Sequence, residues 1–323
     1  DIDRGEHKHF LSKEIAEAPL SFRKTLRGKI SEHNGQLEAT LDATVLPDDI
    51  RQKLASGVFT RIRVIGQGTA AIAGRSLAQL LRQMVDHRVQ VDALPATELS
   101  GFQLQLDMTD TLIIAISQSG TTTDTNRTVD LARTRGASVL GIVNRRVSEL
   151  SAKADGVLFT SDGRDVEMSV ASTKAFYSQV AAGALLACAI SASLGSGSAE
   201  DRHQLLLALR TIPDAMFQVL ALRPQIADAA RQFAPARRYW TVVGNGFNAV
   251  AAEEVRIKLS ELCYKSIACD ITEDKKHIDL SCEPMIIVCA TGLSDGTASD
   301  VAKRSEEHTS ELQSRQYLVC RLL

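Results

Sequence analysis

The sequence predicts an α/β fold: a doubly wound parallel sheet flanked by helices, duplicated along the chain, with a truncated second copy. The first observation is that strands alternate with helices from about residue 61 onward, as in a parallel sheet with helical crossovers. The second is a nearly all-apolar strand at residues 111–116, typical of a sheet covered on both faces. The third is a glycine turn, GQG at 66–68 and GNG at 244–246, that twice joins a strand to a helix.

The individual elements follow from the pattern of apolar residues. Short apolar runs bounded by turns predict strands, and longer stretches with apolar residues on one helical face predict helices. In the first copy the predicted strands are 61–65, 111–116, 138–143 and 156–160, and the predicted helices are 70–84, 125–135 and 172–194. In the second copy, strands at 239–243 and 285–290 flank a helix at 249–264.

These elements divide the chain into segments. A linker with a helix covers 1–50, a first domain 51–200, a helical connector 201–234, a truncated second domain 235–303 and a tail 304–323. Residues 304–314, RSEEHTSELQS, resemble the in-frame translation of a sequencing-library adapter. The tail is therefore expected to be an assembly artefact, and a polar helical tail is the alternative.

Composition excludes several classes of partner. The chain has 37 Lys+Arg and 39 Asp+Glu residues, a formal net charge of −2, so no nucleic-acid partner is expected. No apolar run reaches the roughly 18–20 residues of a membrane helix, so no membrane partner is expected either. The six cysteines show no CxxC pair and suit reduced thiols in a cytoplasmic protein. No ligand cluster has metal spacing, so neither a metal nor another cofactor is predicted.

A Ser/Thr-rich turn, SQSGTT at 117–122, lies between the buried strand and the next helix. A helix N-terminus presents free N–H groups and the positive end of a dipole, and hydroxyls add further donors. Ligands of open α/β sheets also bind at the carboxyl ends of strands. The turn therefore suits a phosphate group, although a simple Ser/Thr helix cap explains the same residues equally well.

Other polar turns also open helices. GQGTAA at 66–71 and GNGFNA at 244–249 fit the loose dinucleotide pattern GxGxxA. Neither copy clearly places the acidic residue that accompanies this pattern, so a tight turn is preferred over a nicotinamide site. Glu167 and VASTK at 170–174 open the long helix, and helix capping is the preferred interpretation there.

Charged residues share one face of the helix predicted in the second copy, because Glu254, Lys258 and Glu261 are spaced by four and by three. An exposed, ion-paired face is the ordinary meaning of such spacing. His277 follows in a polar stretch, and a lone histidine is more often structural or solvated than catalytic. A carboxylate and an imidazole would nonetheless suit proton transfer on a sugar.

Two strings, SQSGTTTDT at 117–125 and VASTKAF at 170–176, resemble the isomerase half of the glutamine–fructose-6-phosphate aminotransferases, a family with sugar-isomerase (SIS) domains. The resemblance covers about residues 3–290 and includes HFLSKEI at 9–15. It implies amination and isomerisation of fructose 6-phosphate to glucosamine 6-phosphate, in a homodimer. In the complete protein a glutaminase domain would lie upstream. The alternative is a non-catalytic sugar-phosphate sensor with the same fold.

The resemblance also implies a role for particular residues. The phosphate would be bound by Ser117, Gln118, Ser119 and Thr122, and the sugar would be lined by Gly68, Thr69, Val170 and Ser172. Glu261 would move a proton between C1 and C2, with Lys258 nearby on the same helix. His277 would open the sugar ring, reaching the site from a partner subunit.

The chain departs from the family's pattern in two turns. Residues 67–70 read QGTA where the family has Cys-Gly-Thr-Ser, so one sugar-contacting hydroxyl is missing. Residues 276–279 read KHID in place of Lys-His-Gly-Pro. These differences predict a divergent member whose preferred sugar phosphate is open.

Overall fold

The computed structural model describes residues 3–274, 282–293, 296, 298, 299 and 318–320. The chain divides into two compact units, Asp1–Met216 and Phe217–Leu323. Each unit contains a parallel sheet with helices packed against it. The predicted fold class, an α/β fold with a duplicated parallel sheet, is confirmed.

The first unit contains a small hairpin and a larger sheet. Its strands are β1 (Ile30–His33), β2 (Gln36–Ala39), β3 (Arg61–Gly66), β4 (Gln90–Pro95), β5 (Thr111–Ser117), β6 (Ser138–Val143) and β7 (Gly156–Phe159). The helices that begin in it are α1 (Phe10–Leu26), α2 (Asp48–Ala55), α3 (Thr69–Met84), α4 (Ala96–Glu98), α5 (Thr123–Arg133), α6 (Glu149–Lys153), α7 (Lys174–Ser193) and α8 (Ala199–Ala221). Strands β1 and β2 pair antiparallel, and the other five form a parallel sheet in the order β4-β3-β5-β6-β7.

Both faces of the larger sheet are covered, which explains why its central strands are so apolar. All seven residues of β5 are buried. Because successive side chains of a strand point to opposite faces, Ile114 joins the cluster of Leu77 and Leu185 on α3 and α7, whereas Ile113 joins the cluster of Val129 on α5. This arrangement is the doubly wound sheet that the alternation of strands and helices predicts.

The second unit repeats this architecture on a smaller scale. Its strands are β8 (Trp240–Gly244), β9 (Ala268–Asp270), β10 (Met285–Cys289) and β11 (Leu318–Cys320), and its helices are α9 (Arg223–Phe233) and α10 (Phe247–Cys263). The sheet order is β11-β10-β8-β9, with every pair parallel. Helices α8 and α9 occupy the stretch predicted to be a helical connector, and β11 lies in the tail predicted to be adapter-derived.

The two glycine turns have the same backbone conformation. Gly68 has φ 55° and ψ −130°, and Gly246 has φ 58° and ψ −130°. The glycine that ends each preceding strand is also required, because a Cβ on Gly66 would lie 2.8 Å from the carbonyl carbon of Ala70, and one on Gly244 would lie 2.6 Å from that of Asn248. The recurrence of GxG in the sequence therefore reflects a real structural repeat.

Some elements differ from the sequence predictions. The β1–β2 hairpin and β4 were not predicted, because β4 is an edge strand with only partial burial and a proline at its end. Helix α7 has the length and apolar composition of a membrane span, but 83% of its apolar window is buried within the structure. It occupies the position of a core helix that is apolar on all sides.

Polar contacts bind α1 to the segment that follows β7. The backbone N–H of Ser161 donates to Thr25 Oγ1 at 2.9 Å, and its hydroxyl donates to the carbonyl of Ser21, also at 2.9 Å. Ser21 and Lys24 both donate to the carboxylate of Asp165. Burial alone would raise the pKa of Asp165, but the hydrogen bonds from the two serines and the Lys24 ammonium outweigh it and hold the pKa below its ordinary value.

Replacing Gly66 by alanine should destabilise the fold by about 1–3 kcal/mol, because the new Cβ would press on the backbone of α3, which cannot yield as a side chain can. The free energy of unfolding can be measured by urea titration followed by circular dichroism. Gly101→Ala is the matched control, since an added Cβ there meets nothing within 4 Å. Equal losses from both substitutions would contradict the steric argument.

The Asp165→Asn variant should be less stable than wild type at pH 7, by about 1–3 kcal/mol. Because the pKa of this carboxyl is lower in the folded chain than in the unfolded one, its charge contributes fully above about pH 4. That contribution is lost as the pH falls through the folded pKa. Unfolding measured at several pH values should show the difference between the two proteins shrinking below pH 4. A difference independent of pH would be inconsistent with a stabilising carboxylate.

Candidate functional site

The predicted binding residues of the first unit lie at the edge of the sheet where ligands of this fold bind. In the order β4-β3-β5-β6-β7, the chain proceeds from β3 to one side and from β5 to the other. The point where the direction reverses lies between β3 and β5, and ligands bind beyond the carboxyl ends of the strands at such a point. The turn after β3 (residues 66–69, the first turn) and the turn after β5 (residues 117–122, the hydroxyl turn) flank it.

The hydroxyl turn is organised by its own side chains. Ser117 Oγ accepts a hydrogen bond from the backbone N–H of Gly120 at 3.0 Å and lies 2.9 Å from Thr122 Oγ1. Ser119 Oγ accepts from the N–H of Thr121 at 3.2 Å and from its hydroxyl at 2.9 Å. Ser117 is buried, whereas Ser119 and Thr122 are half-buried. The turn thus places hydroxyls around the start of α5.

Neighbouring helices hold the hydroxyl turn in place. The side-chain amide of Asn126 donates to the carbonyls of Gly120 and Thr122, both at 3.1 Å, and the N–H of Leu150 donates to the Gly120 carbonyl at 3.0 Å. Gly120 has φ +68°, and a Cβ there would lie 2.6 Å from that of Ser148. Only glycine fits this position. Asn126 is a further residue of this turn that the motifs did not indicate, and its place one helical turn after Thr122 is the sequence signal for it.

Gln67 connects the first turn to the hydroxyl-turn helix. Its side-chain amide donates to Thr97 Oγ1 at 3.3 Å and to Asp124 Oδ2, in the first turn of α5, at 3.4 Å. Gly68 is exposed and Thr69 is half-buried at the start of α3. Gln67 stands where the family has a cysteine, and it therefore links the turn after β3 to the helix that follows the hydroxyl turn.

The polar turn before α7 (residues 164–173, the second turn) is organised by Glu167. Its carboxylate accepts from the N–H groups of Thr173 at 2.7 Å and Ala175 at 3.3 Å, and from the hydroxyl of Ser172 at 2.9 Å. Glu167 thus caps α7, as the simpler interpretation of the sequence expected. Helix α7 consequently begins at Lys174, not at 172. The Val170 side chain is 97% exposed.

A small cavity joins the second turn to the hydroxyl turn. Its volume is about 10 Å³, close to the space for one water molecule. Gln118 lines it from the hydroxyl turn, Glu167 from the second turn and Lys174 from the start of α7. The structure therefore brings two of the predicted substrate-binding segments to one place.

The charged residues predicted in the second unit form an ion-paired group on α10. Lys258 Nζ lies 3.0 Å from a carboxylate oxygen of Glu261 and 3.6 Å from one of Glu254. Glu254 is buried, and the side chain of Glu261 is 41% exposed. His277 lies outside the described residues. Among the residues that are described, no three His, Cys, Asp or Glu side chains are grouped so as to hold a metal ion.

Comparison with protein families and curated sequences identifies relatives of the chain. Residues 59–189 match the family model described as "SIS domain". The glutamine–fructose-6-phosphate aminotransferase (isomerizing) of Halobacterium salinarum is 30% identical over 96% of this chain, and that of Thermus thermophilus is 32% identical over 81% of it. The chain spans only 49% and 41%, respectively, of the length of these relatives.

Solved structures show the same fold. The C-terminal domain of the glucosamine-fructose-6-phosphate aminotransferase from Francisella tularensis superimposes with a TM-score of 0.83 at 22% identity, covering 99% of this chain and 84% of that one. Tagatose-6-phosphate ketose/aldose isomerase from Escherichia coli gives a TM-score of 0.69 at 18% identity, with 97% and 80% covered. Residues 59–189, which contain the five-stranded doubly wound sheet of the first unit, therefore form an SIS domain.

Proposed function

We propose that the first unit binds a sugar phosphate, with the phosphate group on the hydroxyl turn. The observation that carries this proposal is the position of Ser119 and Thr122, two half-buried hydroxyl residues just before α5 at the switch point of the sheet. The side chain of the N-cap residue, Thr122, makes no capping hydrogen bond to that helix. Its first N–H groups and its dipole would act on the phosphate together with the hydroxyls, without needing a basic residue.

The proposed substrate is fructose 6-phosphate, and the proposed reaction is its amination and isomerisation to glucosamine 6-phosphate. Support comes from relatives that are named for this aminotransferase and that match most of the chain. Glu261 would transfer the proton between C1 and C2, with Lys258 beside it on α10, and His277 of a partner subunit would assist ring opening. The ammonia would be supplied by a glutaminase domain in the complete protein.

The ion pair on α10 is compatible with that role for Glu261. Lys258 Nζ donates a hydrogen bond to a carboxylate oxygen of Glu261 at 3.0 Å, and this contact would orient the carboxylate of a general base. The 41% exposure of Glu261 leaves it accessible to a substrate.

A second candidate function is sugar-phosphate binding without turnover. It is favoured by the two departures from the family's turns, Gln67 and the sequence KHID at 276–279. Gln67 occupies the first turn and engages Asp124, so it would change how the sugar is held without removing the phosphate site.

Replacing both Ser119 and Thr122 by alanine should weaken fructose 6-phosphate binding at least tenfold, since each hydrogen bond to a charged group is worth about 1.5–3 kcal/mol. Ligand-dependent thermal stabilisation of the chain measures this directly. Thr134→Ala is the matched control, because it removes a hydroxyl from the other end of the same helix. Unchanged binding in the double variant would remove the phosphate-site assignment.

Replacing Glu261 by glutamine should leave fructose 6-phosphate affinity within about twofold and reduce turnover by about 100-fold or more, the usual contribution of a general base. Incorporation of solvent deuterium at C1 or C2 of the hexose phosphate, followed by NMR, reports the proton transfer. Glu200→Gln, an exposed carboxylate of α8, serves as the control. A wild-type protein that binds the sugar phosphate but exchanges no hydrogen would support the sensor function instead.

A further inference from the structure

We propose that Glu14 and Glu17 of α1 are positioning residues that hold the second turn in the shape that contacts the sugar. The inference rests on the proposed function and deepens it. It states that the residues that position the sugar contacts differ from those that position the phosphate contacts. Neither carboxylate was assigned a role from the sequence.

One face of α1 carries the polar residues that contact the second turn and the start of α7. Glu14, Glu17, Ser21 and Lys24 are spaced by three, four and three, which places them on the same side of the helix. The contacts of Ser21 and Lys24 hold the beginning of the second turn through Asp165. The contacts of Glu14 and Glu17 lie further along the chain, at residues 168–169 and 174.

Glu14 holds the middle of the second turn. The residue is only 2% exposed, and its carboxylate accepts hydrogen bonds from the backbone N–H groups of Met168 and Ser169 and from the Ser169 hydroxyl. The Ser169 hydroxyl also lies 2.9 Å from the carbonyl oxygen of Ala171. A buried carboxylate without such partners would be strongly unfavourable, so the two N–H groups are constrained to point toward Glu14.

Glu17 holds the end of the second turn. Its carboxylate lies 2.6 Å from Nζ of Lys174, the first residue of α7, whose side chain is 7% exposed. The turn is therefore fixed by Glu14 at residues 168–169, by its own Glu167 at 172–173 and by Glu17 at residue 174. Of the two predicted sugar contacts, Val170 lies between these fixed points and Ser172 lies at one of them.

The larger apolar side chains of the second turn are not buried in the core. The apolar side chains of Val166, Met168 and Val170 are 46%, 49% and 97% exposed. Ala171, which is 3% exposed, is buried, and the polar contacts from α1 and from Glu167 hold the residues on either side of it.

The hydroxyl turn is held by a different set of groups. Its carbonyls are bound by Asn126 of α5 and by the N–H of Leu150 of α6, and the hydrogen bonds described for it come from neither Glu14 nor Glu17. Removing the hydrogen bonds of Glu14 or Glu17 should therefore disturb the sugar contacts and leave the phosphate contacts in place.

The test compares two ligands on the full chain. Isothermal titration with fructose 6-phosphate and, separately, with inorganic phosphate should be carried out for wild type, Glu14→Gln, Glu17→Gln and the control Glu38→Gln, an exposed carboxylate of β2. We expect the Kd for fructose 6-phosphate to rise about tenfold in Glu14→Gln and less in Glu17→Gln, whose native carboxylate is already partly exposed. The Kd for inorganic phosphate should stay within twofold in both.

Other outcomes would overturn the inference. If fructose 6-phosphate is bound equally well by all four proteins, or if both ligands are weakened to the same extent in the two α1 variants, the glutamates do not position the sugar contacts. Should Glu14→Gln fail to fold, the more exposed Glu17→Gln decides the matter with the same pair of ligands. Failure of the proposed function is recognised separately, because wild type itself would then bind neither ligand.

Discussion

The constraint on which the rest of the structure depends is that a parallel sheet must be covered on both faces. Strand β5 meets it completely, with all seven residues buried between α3 and α7 on one side and α5 on the other. Because helices occupy both faces, polar groups of the chain collect where strands end and helices begin. The candidate site is located there for this reason, and the buried strand supplies a rigid base for it.

At that edge of the sheet, hydrogen bonds more than hydrophobic burial determine the conformations of the turns. The hydroxyl turn is held by Ser117, Asn126 and the close packing of Gly120 against Ser148, whereas the second turn is held by carboxylates. The two turns are thus held by different side chains, and both line the small cavity, through Gln118 and Glu167.

The chain contains two copies of one architecture, and the proposed phosphate-binding and proton-transfer residues lie in different copies. Both copies use the same strand–GxG–helix turn, with glycines in the same backbone conformation. The first copy presents hydroxyls after its second central strand, while the helix after the repeated turn in the second copy carries the paired charges of Lys258 and Glu261. The same local fold thus supports neutral hydrogen-bond donors in one unit and ionised groups in the other.

The sequence by itself determined the fold class, the central strands and the hydroxyl turn, because each is a local pattern: an unbroken apolar run, a glycine pair or a cluster of hydroxyls at a helix start. It did not reveal the β1–β2 hairpin or the edge strand β4, whose partial burial leaves a weak pattern. Only the tertiary structure decided that Glu14 and Glu17 reach the second turn. Glu14 is 154 residues from Met168 along the chain, and contacts at such separation arise from packing, which no local pattern encodes.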